Sequence, residues 1–248
     1  MNADLLAALE AFARHDRVLV ALDFDGALAP IVDEPSQARP LPESSAALSA
    51  LVALHRAEVA LVSGRALDDL RAVARPPAGA LLVASHGAES GGAPTALDGD
   101  ARALLADVLD ELGEVAAAHP GTHVETKPTS GVLHTRQADR RTASAATEAV
   151  LQGVGAREGV ASMVGKEVVE LSVVRADKGS ALTALREGLG VGAVLYVGDD
   201  TTDENVFVVL REGDVGVKVG DGETAAAHRV DDPSQVAALL AHLTHLLA

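Results

Sequence analysis

Two carboxylates separated by one residue, Asp23-Phe24-Asp25-Gly26, stand directly after the apolar run Arg17 to Leu22. Such a pair at a strand end suits divalent-metal and nucleophilic chemistry: one carboxylate can ligate Mg²⁺ and attack, while the other, on a turn, donates and then accepts a proton. An Asp-Gly turn capping a helix would explain the same residues without chemistry. A second group, Gly198-Asp199-Asp200-Thr201-Thr202-Asp203-Glu204, carries four carboxylates within six residues. Like charges at that density favour a hard cation among them, and the first turn of a helix also accommodates Asp203 and Glu204; both can hold. Ser63-Gly64-Arg65 offers a hydroxyl and successive N–H groups at a helix start, the geometry of a phosphate cradle, although Ser is also an ordinary cap. Lys178 opens another helix against the dipole preference, which points to an anion or carboxylate partner; a solvated surface lysine is the plain alternative.

The elements that must position these groups follow from periodicity. Apolar runs at Arg17 to Leu22, Glu58 to Val62, Ala80 to Ala84, Ala193 to Val197 and Val215 to Val219 read as buried strands. A helical pattern from about Pro42 to His55 joins the first two runs, and such strand and helix alternation predicts a parallel sheet covered on both faces. Open sheets of this kind bind ligands beyond the carboxyl ends of their strands, where the polar clusters stand. Between the third and fourth runs the order changes: a helix from about Asp100 to His119, strands over Thr122 to Lys127 and Gly131 to Arg136, a helix from about Arg140 to Leu151, and a strand over Glu167 to Val174. We read 100–174 as an inserted α+β module with an antiparallel sheet, and 1–99 with 175–248 as the α/β core. Gly91-Gly92 with Pro94, and Arg175-Ala176-Asp177, read as linkers, with hinges at about 97–100 and 174–177.

Composition narrows the function. Twenty basic against 36 acidic residues give a net charge of −16, the wrong sign for a phosphate-backbone binder or an anionic membrane surface. Aromatics at 2%, with no Trp and one Tyr, leave little for base stacking. The absence of cysteine excludes disulfides, thiolate nucleophiles and Cys-based metal sites. The N-terminal stretch lacks a basic segment and soon meets Glu10, Arg14, His15 and Asp16, so no signal peptide is expected. Without an apolar run long enough to span a bilayer, a soluble cytoplasmic protein is the expectation.

Asp23-x-Asp25, Ser63, Lys178 and Gly198-Asp199-Asp200 occur in the order of the four signature motifs of haloacid-dehalogenase (HAD) phosphatases. More specifically, DFDGALAPI (23–31), SGR (63–65), HGAE (86–89), ETKPTSGVLHTR (125–136), GKEVVELS (165–172), KGSAL (178–182) and GDDTTDENVF (198–207) resemble the trehalose-6-phosphate phosphatase family. The resemblance implies a Rossmann-like parallel-sheet core with an inserted cap, and Mg²⁺-dependent hydrolysis of trehalose 6-phosphate, the last step of trehalose biosynthesis. It makes Asp23 the nucleophile that forms an aspartyl-phosphate and Asp25 the general acid and base. Mg²⁺ is assigned to Asp23, the Asp25 carbonyl and Asp199, with Asp203 supporting through water. Ser63 and Lys178 take the phosphoryl oxygens, and Gly64 and Arg65, in the loop of Ser63, bind substrate.

The same resemblance gives the sugar to the module. Glu125, Lys127 and Arg136 fall on the hairpin arms, with Lys166 and Glu170 on the last strand; Glu125 and Lys127, two apart, share a face. Cross-strand ion pairing would account for the same residues, and His134 could simply fill that face. His86 and Glu89 either order the loop after the third core strand or touch substrate, and loop ordering is preferred for His86. Ala27, Thr135 and Ser172-Val173 depart from the family pattern, which has Thr, an aromatic and Arg-Pro there. A sucrose-phosphate or mannosyl-phosphoglycerate type of phosphatase differs only in the module, and a non-catalytic sugar-phosphate binder is a third reading. The reading favours a monomer acting on a small molecule, with neither nucleic acid nor membrane as partner.

Overall fold

The computed structural model describes every residue except 91, 92, 95, 96, 98, 175 and 176. In chain order the elements are α1 (Ala3–Phe12), β1 (Val18–Leu22), α2 (Pro42–Val52), β2 (Ala57–Val62), α3 (Leu67–Ala74), β3 (Leu81–Ala84), β4 (Glu89–Ser90), β5 (Ala93–Pro94), α4 (Gly99–Ala118), β6 (His123–Thr126), β7 (Ser130–His134), α5 (Arg140–Gln152), β8 (Ala161–Gly165), β9 (Val168–Ser172), α6 (Lys178–Leu189), β10 (Ala193–Gly198), α7 (Glu204–Phe207), β11 (Val215–Val219), β12 (His228–Val230) and α8 (Pro233–Leu247). The chain divides into two compact units, Met1–Ala93 with Ala176–Ala248, and Pro94–Arg175.

The first unit is built on a sheet of order β12-β11-β10-β1-β2-β3-β4-β5, parallel from β12 through β3. Its central strand β1 lies between β10 and β2, with Val18 opposite both Ala193 and Ala57. All five residues of β1 are buried, because alternate side chains enter two different layers. Val18, Val20 and Leu22 join a core that includes Leu5, Leu48, Leu70 and Leu240 from α1, α2, α3 and α8. Leu19 and Ala21 face the opposite layer with Leu182, Tyr196 and Phe207. This two-sided burial is why the strands read as unbroken apolar runs. The parallel register has one further consequence: the carboxyl ends of β1 and β10 fall side by side, and Asp23 N–H donates to the Val197 carbonyl at 2.8 Å.

The second unit is an antiparallel sheet of order β6-β7-β9-β8. Val108 and Leu112 of α4 and Ala146 and Val150 of α5 pack with Leu133, Val169 and Leu171 on one face. By alternation the other face carries His123, Glu125, Val132, His134 and Glu170, with Glu125 opposite Val132 and Val132 opposite Glu170.

Two expectations about the second unit require correction. Strand β8 had no reading in the sequence. Lys166 was expected on the last strand, whereas β9 begins at Val168 and Lys166 lies in the β8–β9 turn, where Glu167 takes a φ of 62°. That turn reverses the chain after Gly165, so Lys166 is exposed instead of lining a sheet face. The expected linker residues Gly91, Gly92, Arg175 and Ala176, and hinge positions 98, 175 and 176, lie outside the described residues. Among the described residues, no helix is long and apolar enough to cross a membrane.

Candidate active site

Lys178 is the hub of the first unit's polar cluster. Its Nζ lies 3.0 Å from Asp23 Oδ1 and 2.8 Å from Asp203 Oδ1, and the side chains of Lys178, Asp23 and Asp203 are 3%, 5% and 0% exposed. The helix start that appeared unfavourable for a lysine is explained by these two carboxylates, while Asp177 satisfies the end of α6 with a capping box. Asp203 is held by two further bonds: Oδ1 also accepts from the Tyr196 hydroxyl at 2.7 Å, and Oδ2 accepts from the Asp200 N–H at 2.9 Å. We therefore place Asp203 as the anchor of Lys178.

Oxygens of Asp23, Asp199 and Asp203 lie within 4.8 Å of one another. Three carboxylates so close repel, and burial adds to the cost of their charge. Burial, followed by the charges of Asp203 and Asp199, raises Asp23 well above the usual carboxylate range, with Lys178 opposing. Burial, then Asp203, pushes Asp199 up to about 6. Burial alone would lower Lys178, but the two aspartates reverse that and hold it above its ordinary value. An all-oxygen donor set with excess negative charge fits a hard divalent cation. Gly26 makes the approach of Asp199 possible: its φ is 80°, and a Cβ there would lie 2.0 Å from Asp199 Oδ2.

The expected phosphate loop is held from below. Ser63 Oγ accepts from the Arg65 N–H at 3.2 Å, and Ser63 is 1% exposed. The Ser63 carbonyl accepts from the His86 N–H at 3.0 Å, and the Arg65 carbonyl from the Ser85 N–H at 2.7 Å. Ser85, His86 and Gly87 all have positive φ, of 47°, 55° and 108°. This strain is sustained by the fixed contacts around it: Ser85 Oγ donates to Glu89 Oε1 at 2.5 Å, and the His86 ring occupies the space where a Cβ on Gly64 would stand. The His86 ring thus packs on the Ser63–Arg65 loop, and Glu89 is buried beside Ser85.

Asp25 and Arg65 form a two-point ion pair, with Nε to Oδ2 at 2.6 Å and Nη2 to Oδ1 at 2.7 Å. Although burial opposes the charge, the bonds and charges of Asp25 and Asp69 raise the Arg65 pKa above its ordinary value.

In the second unit, Lys127 Nζ donates to Glu170 Oε2 at 3.1 Å and Ser130 Oγ to Glu170 Oε1 at 2.6 Å, all three residues being buried. Glu125 bonds His134 at 2.8 Å, and this bond, with Lys127 adding to it, lowers its pKa. His134 stacks on His123 with centroids 4.7 Å apart. The expected sugar residues Glu125, Lys127 and Glu170 therefore share one face, whereas Arg136 lies beyond the end of β7, 3.8 Å from Glu167, with both side chains at least half exposed.

Sequence reasoning missed Tyr196, Ser130 and Lys218. Lys218 had a signal: it interrupts the run Val215–Val219, whose five residues are all buried, and a lysine is seldom buried without a partner. It stands opposite Gly198, and its Nζ donates to the Asp199 carbonyl, bracing the acidic loop.

Residues 21–237 match the family model described as trehalose-phosphatase. The chain is similar to a trehalose-phosphate phosphatase of Mycobacterium avium, 36% identical over 90% of this chain and 61% of the relative. It is also similar to one of Mycobacterium ulcerans, 33% identical over 99% of this chain and 67% of the relative. The chain thus spans about three fifths of the Mycobacterium avium protein's length. Among solved structures, the trehalose-6-phosphate phosphatase C-terminal domain of C. albicans has the same fold, with a TM-score of 0.80 at 24% identity over 99% of this chain and 97% of that one. On the match over residues 21–237, the chain belongs to the trehalose-phosphatase family.

Proposed function

We propose that the chain hydrolyses trehalose 6-phosphate to trehalose and phosphate through an aspartyl-phosphate on Asp23. The observation that carries this reading is the buried Lys178 bridge between Asp23 and Asp203, set beside Asp199 at the adjoining ends of β1 and β10. Lys178 orients Asp23 and keeps a positive charge at the oxygens of the incoming phosphoryl group, the main demand of phosphoryl transfer. An oxygen of Asp23 attacks phosphorus in line. As the bond to the sugar oxygen breaks, Asp25 gives that oxygen a proton, and it then takes one from the water that attacks the aspartyl-phosphate and releases phosphate. Ser63 supplies a hydroxyl to the phosphoryl oxygens. When bound, Mg²⁺ would be held by Asp23, Asp199 and the Asp25 carbonyl, and would add positive charge to the transferring group. The face carrying Glu125, Lys127 and Glu170 suits sugar hydroxyls, because polar groups fixed in a bonded network favour one arrangement of hydroxyls over another.

Metal and proton compete for Asp199. The folded protein holds the Asp199 proton more tightly than the unfolded chain does, so this residue favours folding at low pH, and its contribution is lost as pH rises through about 6. Mg²⁺ is therefore expected to raise the Tm more at about pH 7.5 than at about pH 5. A shift of equal size at both values contradicts the assignment.

The direct test of the mechanism is a rapid acid quench of wild type turning over ³²P-labelled trehalose 6-phosphate. Hydroxylamine-sensitive label on the peptide containing Asp23 is expected, and label on another residue would displace Asp23 from its role.

A further inference from the structure

Arg65 follows the phosphate-loop serine and was expected to touch substrate, yet its guanidinium is committed within its own unit. Nε and Nη2 take the two oxygens of Asp25 at 2.6 and 2.7 Å, Nη1 takes Asp69 Oδ2 at 2.6 Å, and Nη2 also reaches the Pro35 carbonyl at 3.0 Å. The group lies 5.4 Å over the Phe24 ring, and its side chain is 10% exposed. Guanidinium has five N–H donors, so four are directed at protein acceptors. A two-point bond of this kind fixes the plane of the carboxylate as well as its distance. Asp25 itself is one third exposed on a turn closed by the Gly26 N–H to the Ala29 carbonyl, and both oxygens of its carboxylate accept from Arg65.

We propose that Arg65 is a positioning residue for Asp25, holding its carboxylate in the orientation needed for proton transfer, and is not a substrate ligand. The inference rests on the acid and base role proposed for Asp25. The chemistry leaves room for it: a carboxylate has about four lone-pair sites, so two bonds to Arg65 leave others to carry the proton that passes to the leaving oxygen and is recovered from water. Asp69, one helical turn further on, braces the far side of the guanidinium.

A positioning role has a signature that a structural or substrate-binding role lacks. General-acid help matters for an alkyl leaving group and little for 4-nitrophenolate, which departs without a proton. The experiment compares Arg65→Gln, Arg65→Lys and Asp69→Asn with wild type, in Mg²⁺, on 4-nitrophenyl phosphate and on the alkyl phosphate that wild type cleaves fastest. For Arg65→Gln, kcat/KM reports the steps up to departure of the leaving group and not the later hydrolysis for which Asp25 is the base; it is expected to fall roughly 30-fold or more on the alkyl ester, a share of the ~10²–10⁴ supplied by general acid catalysis, against less than about 3-fold on the aryl ester. KM should not rise, Arg65→Lys should recover part of the loss, and Asp69→Asn, outside the reacting groups, should show the same asymmetry in weaker form. Equal losses of kcat/KM on both esters, or a raised KM with kcat unchanged, would overturn the proposal while leaving the phosphatase reading standing. If wild type cleaves neither ester, that reading and this one fail together.

Discussion

Lys178→Met is expected to abolish measurable turnover and to lower the unfolding free energy at neutral pH by about 3–5 kcal/mol, the cost of leaving buried charge without its partner. The size follows from the geometry. One ammonium, 2% exposed, lies within 3.0 Å of two carboxylates that are themselves buried, and Asp199 adds a third negative charge nearby. Methionine keeps the length and the apolar contacts of the stem, so packing changes little and the electrostatic loss dominates. Urea denaturation and phosphate release measure the two effects. Adding Asp203→Asn should recover part of the stability and none of the activity. A single variant within about 1 kcal/mol of wild type would show that Lys178 is not the hub of this cluster.

Asp23→Asn separates the two properties. Turnover is expected to fall by at least about 10⁴-fold, as when a nucleophile is removed from a site whose groups act as a unit. Stability at neutral pH, measured without metal, is expected to hold or to rise. Burial and the neighbouring carboxylates disfavour the ionised form of Asp23, and an amide of the same shape removes that repulsion while Lys178 keeps Asp203. Loss of both properties together would make Asp23 a structural residue.

Much of this site was legible because buried parallel strands advertise themselves. β1 and β10 read as unbroken apolar runs, so the carboxylates that follow them stood out as strand-end groups, and Lys178 stood out by opposing the helix dipole. The two-residue spacing of Glu125 and Lys127 anticipated their common side, although Lys127 lies just past β6 and reaches that side through its bond to Glu170. What escaped depends on partners remote in sequence. Arg65 lies 40 residues from Asp25, and Ser130 lies 40 residues from Glu170, distances at which spacing carries no information about contact. Tyr196 looked like one more core aromatic, since only the fold brings its hydroxyl to Asp203. Strand β8 went unread because its residues, Ala-Ser-Met-Val-Gly, are partly or fully exposed and form neither an apolar run nor a sustained apolar-polar alternation in sequence. The misplacement of Lys166 followed, since the turn that carries it exists only if β8 precedes it.

Phosphate release from trehalose 6-phosphate in Mg²⁺, set against sucrose 6-phosphate and glucose 6-phosphate with Asp23→Asn as the blank, tests the central claim most directly. A kcat/KM for trehalose 6-phosphate at least about 10²-fold above the other two, lost in the variant and with chelator, is the expected result. Equal or faster release from another sugar phosphate would contradict the assignment of Glu125, Lys127 and Glu170 to trehalose, and release by Asp23→Asn at the wild-type rate would contradict the nucleophile.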